Sequence, residues 1–189
     1  MKCTAALTLL SAAVVAAAPT PSSTTILGYA VPSVVKVHNI NTNINNPSQS
    51  ITTVRSGTYE TSTLFDIPIP ASAAGRTCGL VVRALEGGDV VTGAASLDIF
   101  KNLFTDLASL AQGNQRDQIL ARVVFNPNNG LYDFKRGDVT PKIDAFPCPA
   151  GQTLHWEAAA VGEFDVNIVG QDSGYGGAHV PNGLSVAWW

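Results

Sequence analysis

Glu157 and Asp165 are the two carboxylates whose spacing comes nearest to acid chemistry. They fall on two alternating runs, Leu154-His155-Trp156-Glu157-Ala158 and Phe164-Asp165-Val166-Asn167-Ile168, on either side of Val161-Gly162. If these runs form a hairpin centred on Val161, Trp156 faces Val166 and Glu157 sits opposite Asp165 on the solvent side, with β-carbons about 5 Å apart. Retaining glycosidases hold their two carboxyl groups at about that separation. The competing expectation is a pair of solvated acids across a strand, since exposed carboxylates are the rule on protein surfaces. Asp172-Ser173-Gly174 shares three letters with the nucleophile turn of a serine protease, and His38 or His155 is available in the chain as a base. Tyr175 follows where a further glycine is wanted, so a plain Gly/Asp turn is the simpler reading.

A second set of residues suits binding rather than catalysis. Arg116-Asp117, flanked by Gln115 and Gln118, reads as an ion pair that either ties a loop to the domain or contributes to a binding site. Trp188 and Trp189 are consecutive on a strand-like ending, so they point to opposite faces and one is expected at the surface. Beside Tyr175 and Tyr132, an exposed indole would make a platform for a sugar ring, whereas a packed one merely plugs the end of the fold. Trp156 alternates with apolar positions and is expected in the core. The loop from Gly170 to Gly177 has no lysine and no following helix, which excludes a phosphate cradle. His38, His155 and His179 are far apart, with no metal-ligand spacing and no cofactor motif around them.

The elements that must position these residues are short and β-like. Val34–Val37, Ser50–Thr53, Thr61–Ile67, Cys78–Ala84, Ile119–Phe125, Thr153–Ala158 and Leu184–Trp188 are rich in β-branched residues and bounded by Gly, Pro and Asn. Asn128-Asn129-Gly130 is a hairpin signal, and the polar stretch Asn39–Pro47, with five asparagines, reads as turn. Leu97, Phe100, Leu103, Phe104, Leu107 and Leu110 repeat at near-helical intervals, although Asp98-Ile99-Phe100 reads equally well as strand. With no βαβ rhythm, the pattern predicts a mainly β protein, an antiparallel, jelly-roll-like β-sandwich spanning 28–189.

Residues 1–17 read as an export signal. Lys2 supplies the charge, Ala5 to Ala18 is uncharged, and Val15 and Ala17 occupy the small-residue positions before the expected cut. The apolar run is too short to span a bilayer, which takes roughly 20 residues. Residues 18–27 read as a Pro/Ser/Thr stalk. The chain carries 11 basic and 14 acidic residues without a basic cluster. Nucleic acid and anionic membrane are therefore poor partners, and a cell-wall polysaccharide or an extracellular protein is the expected one. Cys3 leaves with the signal, so Cys78 and Cys148 remain as an even pair in an oxidising compartment, expected to be bonded, with free thiols or a metal site as the alternative.

Two stretches carry a family resemblance: Leu64-Phe65-Asp66-Ile67-Pro68-Ile69-Pro70-Ala71 leading to Gly75-Arg76-Thr77-Cys78-Gly79-Leu80-Val81, and Phe146-Pro147-Cys148-Pro149-Ala150-Gly151-Gln152-Thr153-Leu154. Together with Gly113–Gln118 and a last strand after Gly183, they resemble the fungal secreted But-two C-terminal domain family, named after the C-terminal domain of a ubiquitin-activating-enzyme-binding protein. The resemblance covers roughly residues 28 to 189. It implies a β-sandwich, a disulfide between Cys78 and Cys148, a strand rather than a helix at Leu97–Phe100, and a secreted protein of the extracellular space or cell wall. No catalytic residues come with it. The ending Trp188-Trp189 departs from the aliphatic-Tyr ending usual there, and a further cysteine is missing.

Overall fold

The computed structural model describes residues 25–137, 139–177 and 179–189. The expected export signal and most of the expected stalk lie outside them. The described residues form fourteen strands and one short 3-10 turn at Ala71–Ala73. In chain order the strands are β1 (Gly28–Ala30), β2 (Val34–Asn39), β3 (Ile44–Pro47), β4 (Ser50–Ser56), β5 (Tyr59–Pro68), β6 (Thr77–Arg83), β7 (Val90–Thr92), β8 (Ser96–Asn102), β9 (Arg116–Asn126), β10 (Leu131–Phe134), β11 (Phe146–Pro147), β12 (Thr153–Ala160), β13 (Asp165–Gly170) and β14 (Gly183–Trp188). No helix among the described residues is long and apolar enough to cross a membrane.

The strands pair antiparallel in the order β1-β14-β6-β10-β9-β8-β12-β5-β4-β13-β7, with β11 added to β6, β2 to β5 and β3 to β2. The array curls into a half-barrel. Two features interrupt the regular pairing. β6 and β10 meet at a single register position, Leu131 opposite Arg83. On the edge opposite β2, β5 changes neighbour along its length: residues 59–61 pair with β4, and 62–68 pair with β12. Where β4 diverges, threonine side chains take over the hydrogen bonds. Thr61 Oγ1 accepts from Val54 N–H (3.1 Å) and Thr63 Oγ1 accepts from Thr52 N–H (2.8 Å), so no ladder donor on β4 is orphaned at the corner.

The core lies inside the curl. Phe65 and Ile67 from β5, Leu97 and Ile99 from β8, Val123 from β9, Trp156 and Ala158 from β12, and Leu184 and Val186 from β14 form one buried cluster. Leu64 projects from the other face of β5 and packs against Phe104 and Leu107. Cys78 and Cys148 are joined, with Cα atoms 5.0 Å apart, within the usual 4.4–6.8 Å range. The bond ties β6 to the turn after β11, and Phe146 of β11 lies opposite Cys78 in register.

Three expectations need correction. The hairpin between the Glu157 and Asp165 runs does not form. β12 pairs with β5 and β8, so Trp156 opposes Phe65 and Lys101, and Glu157 opposes Leu64 and Phe100; β13 pairs with β4 and β7, so Val166 opposes Val54 and Thr92. The facing of β13 is also reversed: Asp165, Asn167 and Val169 are fully buried, while Phe164 is 68% and Ile168 39% exposed. Buried polar contacts favour this phase. Asp165 accepts from the N–H groups of Gly162 (2.8 Å) and Ala94, and Asn167 Oδ1 accepts from the Tyr132 hydroxyl (2.9 Å), while Asn167 Nδ2 is left without a partner among the described residues. Third, the Asn-rich segment read wholly as turn contains β3, because Asn45 is drawn inward to meet His38 Nδ1 (2.7 Å) and the carbonyl of Gly113 (2.8 Å).

The near-helical run splits into two structures. Leu97 to Asn102 is strand β8, as the resemblance implies, and 103–110 is a set of turns. Its spacing reflects a loop folded over β5 with Phe104 and Leu107 buried and Leu103 left 59% exposed. Side chains hold this loop down: Lys36 Nζ donates to the carbonyls of Ala108 (2.8 Å) and Leu110 (3.0 Å), and Asp66 Oδ2 accepts from Leu107 N–H (3.1 Å).

Candidate functional site

Two neighbouring recesses share Pro32 and Ser33 as a common wall. One, of about 390 Å³, is aromatic, with Tyr29 from β1, Trp188 from β14 and Tyr175 from the glycine-rich loop. The other, of about 460 Å³, is polar, with Ser48, Gln49, Glu86, Asp172 and Ser173 along it. Antiparallel pairing of β1 with β14 places Gly28 against Trp188 and Tyr29 against Ala187. Gly28 is required there: the Trp188 indole lies where a β-carbon would stand, so any other residue would push the ring away. Tyr29 and Tyr175 meet edge to face, ring centroids 6.2 Å apart at 84°. Partial burial and the neighbouring Tyr175 raise the Tyr29 pKa, so its hydroxyl is a neutral hydrogen-bonding group at ordinary pH.

The polar end is held by its own framework. Gln171 bonds both ways to β14, accepting from Leu184 N–H (2.8 Å) and donating to the Leu184 carbonyl (3.0 Å). Asp172 Oδ2 accepts from Asn182 N–H (2.8 Å), and Asp89 Oδ1 accepts from Gly170 N–H (2.8 Å). These bonds fix the loop that presents Ser173 and Tyr175. The result is a pair of adjoining recesses, together called the groove below, with stacking surface in one and hydroxyl, amide and carboxylate groups in the other.

The sequence-predicted residues divide between this groove and the framework. Tyr175 and Trp188 come together, joined by Tyr29, which sequence reading missed because it sits in a three-residue strand with no alternation to mark it. Trp189 does not line the groove; it is half-buried over Gly79, with its backbone paired to Thr77. Tyr132 is buried and packs against Phe125, and burial with Asp89 and Asp165 nearby raises its pKa well above the usual phenol range. Arg116 and Asp117 do not pair with each other. Neighbouring residues on a strand point to opposite faces, so Arg116 reaches Glu157 while Asp117 meets Lys101 at 3.7 Å.

Glu157 is fully buried and ionised. Arg116 grips it with two bonds, Nη2 to Oε1 (2.6 Å) and Nε to Oε2 (3.0 Å), while Asn102 (3.1 Å) and Asn114 (3.0 Å) donate to the same carboxylate. The guanidinium also lies over the Phe100 ring, 4.2 Å from its centroid. Burial pushes the Glu157 pKa up, but the Arg116 bonds and charge and the neighbouring donors outweigh it and hold the carboxyl below its ordinary range. A carboxylate saturated in this way neither gives a proton nor attacks a substrate. Asp165 is equally buried, and its oxygens hold backbone N–H groups.

The histidines weighed as bases are engaged elsewhere. His155 Nδ1 lies 2.6 Å from Asp66 Oδ1, and His38 bonds Asn45. Among the described residues no group of three His, Cys, Asp or Glu side chains could hold a metal ion. Comparisons with family models, with curated proteins and with solved structures found no match.

Proposed function

We propose that this chain is a secreted, non-enzymatic β-sandwich protein of the fungal extracellular space or cell wall, and that it binds a carbohydrate chain along the Tyr29–Tyr175–Trp188 groove. The observation that carries this reading is the adjacency of the aromatic recess to the polar one across Pro32 and Ser33. Sugars offer an apolar ring face for stacking and a rim of hydroxyls for hydrogen bonding, and the two ends of the groove complement those two features. The disulfide suits an oxidising compartment, and the change from β4 to β12 along one edge of β5 is the kind of corner by which one strand serves two layers of a jelly roll. The absence of a basic cluster speaks against nucleic acid.

The test is retention on insoluble β-glucan and chitin. Tyr29→Ala and Tyr175→Ala are each expected to lower retention about tenfold, the loss of roughly one stacking contact, without lowering the unfolding temperature by more than a few degrees. No reducing sugar should be released. Unchanged retention in the double variant would refute the groove, and reducing-sugar release by the wild-type chain would replace the binding reading with a glycosidase.

A further inference from the structure

A third recess, of about 310 Å³, shares no residue with the groove. It opens beside β12, β8 and the segment leading into β11, and its apolar wall is Leu120, Ile143, Phe146, Leu154 and Trp156. Phe146 and Trp156 form a tilted ring pair, centroids 6.2 Å apart. Lys101 and Lys142 stand at its edge, both exposed, and neither Asp nor Glu is among its lining residues.

The charge pattern is unusual for this chain, in which acids outnumber bases 14 to 11. Lys142 Nζ bonds the neutral amide of Gln118 at 3.0 Å, so that contact does not offset its charge. The Lys101 contact with Asp117 is long and solvent-exposed, the kind of pair that is readily exchanged for a competing anion. An apolar recess at the lower end of the ~300–1,000 Å³ range of small-molecule pockets, rimmed by two ammonium groups, is complementary to one class of ligand. We propose that it binds a small amphiphilic carboxylate, its apolar body against Phe146, Leu154 and Trp156 and its carboxylate between Lys101 and Lys142. A neutral amphiphile would match the wall and miss the rim; a cationic one would be repelled.

Titration calorimetry of the full chain with octanoate, octanol and octylammonium, each below its aggregation concentration, tests this. Octanoate is expected to bind about tenfold more tightly than octanol, the usual scale of one charge-assisted contact, and octylammonium more weakly than either. The exposed double variant Lys101→Glu/Lys142→Glu should erase the preference for octanoate and keep the wild-type unfolding temperature. Indole N–H resonances localise the event: octanoate should shift Trp156 and leave Trp188 in place. Equal affinity for octanoate and octanol, a preference that survives the double charge reversal, a shift at Trp188 in place of Trp156, or no heat at millimolar octanoate would each overturn the proposal.

Discussion

Glu157 shows how a residue that suggests chemistry in one dimension can be structural in three. Its carboxylate receives four hydrogen bonds, two of them from Arg116, and the pair is covered by Phe100. Glu157 is fully buried while the Arg116 side chain keeps 32% of its surface exposed, so a neutral amide at 157 breaks charge-assisted bonds without stranding a buried guanidinium, a cost on the order of 2 kcal/mol. Glu157→Gln is therefore expected to lower stability by about that amount at pH 7, measured by urea unfolding. The pH dependence has a definite sign. The folded-state pKa is depressed, so the stabilisation is present above the ordinary glutamate range and is lost as pH falls through the folded value. Wild type and Glu157→Gln should thus converge in strongly acidic solution, well below about pH 4, and diverge fully at neutral pH. A gap that is constant from pH 3 to pH 7 would contradict the ionised state.

Among the elements, β5 and β13 carry the two geometric decisions of the fold. β5 is buried on both faces from Thr61 to Ile67 and changes partner at Thr61, where threonine oxygens stand in for ladder acceptors. Thr63→Val keeps the shape and removes one acceptor, leaving Thr52 N–H unpaired beside the core. A cost of about 1–3 kcal/mol follows from orphaning a buried donor, and amide exchange at Thr52 should quicken more than at Val169 on the neighbouring strand; uniform protection would refute the corner. β13 illustrates the limit of alternation. Val166 and Ile168, with Phe164 just before the strand, face away from the core while Asp165 and Asn167 find partners inside through their oxygens, whereas a hydrophobicity count alone assigns the opposite phase.

At the scale of the whole molecule, the disulfide joins residues 70 apart and couples the β6 end of the array to the turn that leads into β12. In the chain-entropy picture a loop of that length is worth about 4 kcal/mol, as an upper figure. The Cys78→Ala/Cys148→Ala variant should lose up to that amount, and non-reducing mass spectrometry should find the Cys78 and Cys148 thiols blocked; two free thiols at these positions would undo the clip. The two proposed binding regions share no lining residue, so sugar retention and octanoate binding should respond to separate substitutions.

Composition and local pattern pointed to a mainly β chain, the position of most long strands, the Asn128-Asn129-Gly130 turn between β9 and β10, and a bonded Cys78–Cys148 pair, because β-branched runs and turn residues act locally and two of the three cysteines lie outside the expected export signal. Of the candidate site, Tyr175 and Trp188 were legible as exposed-type aromatics at the end of the chain. Their companionship with Tyr29, almost the full domain away in sequence, was not, since it depends on β1 pairing with β14. Likewise Arg116 finding Glu157 rather than Asp117, and β12 separating from β13, are non-local choices. They were decided by which buried polar groups could be satisfied together, and that condition exists only once the sheet has curled.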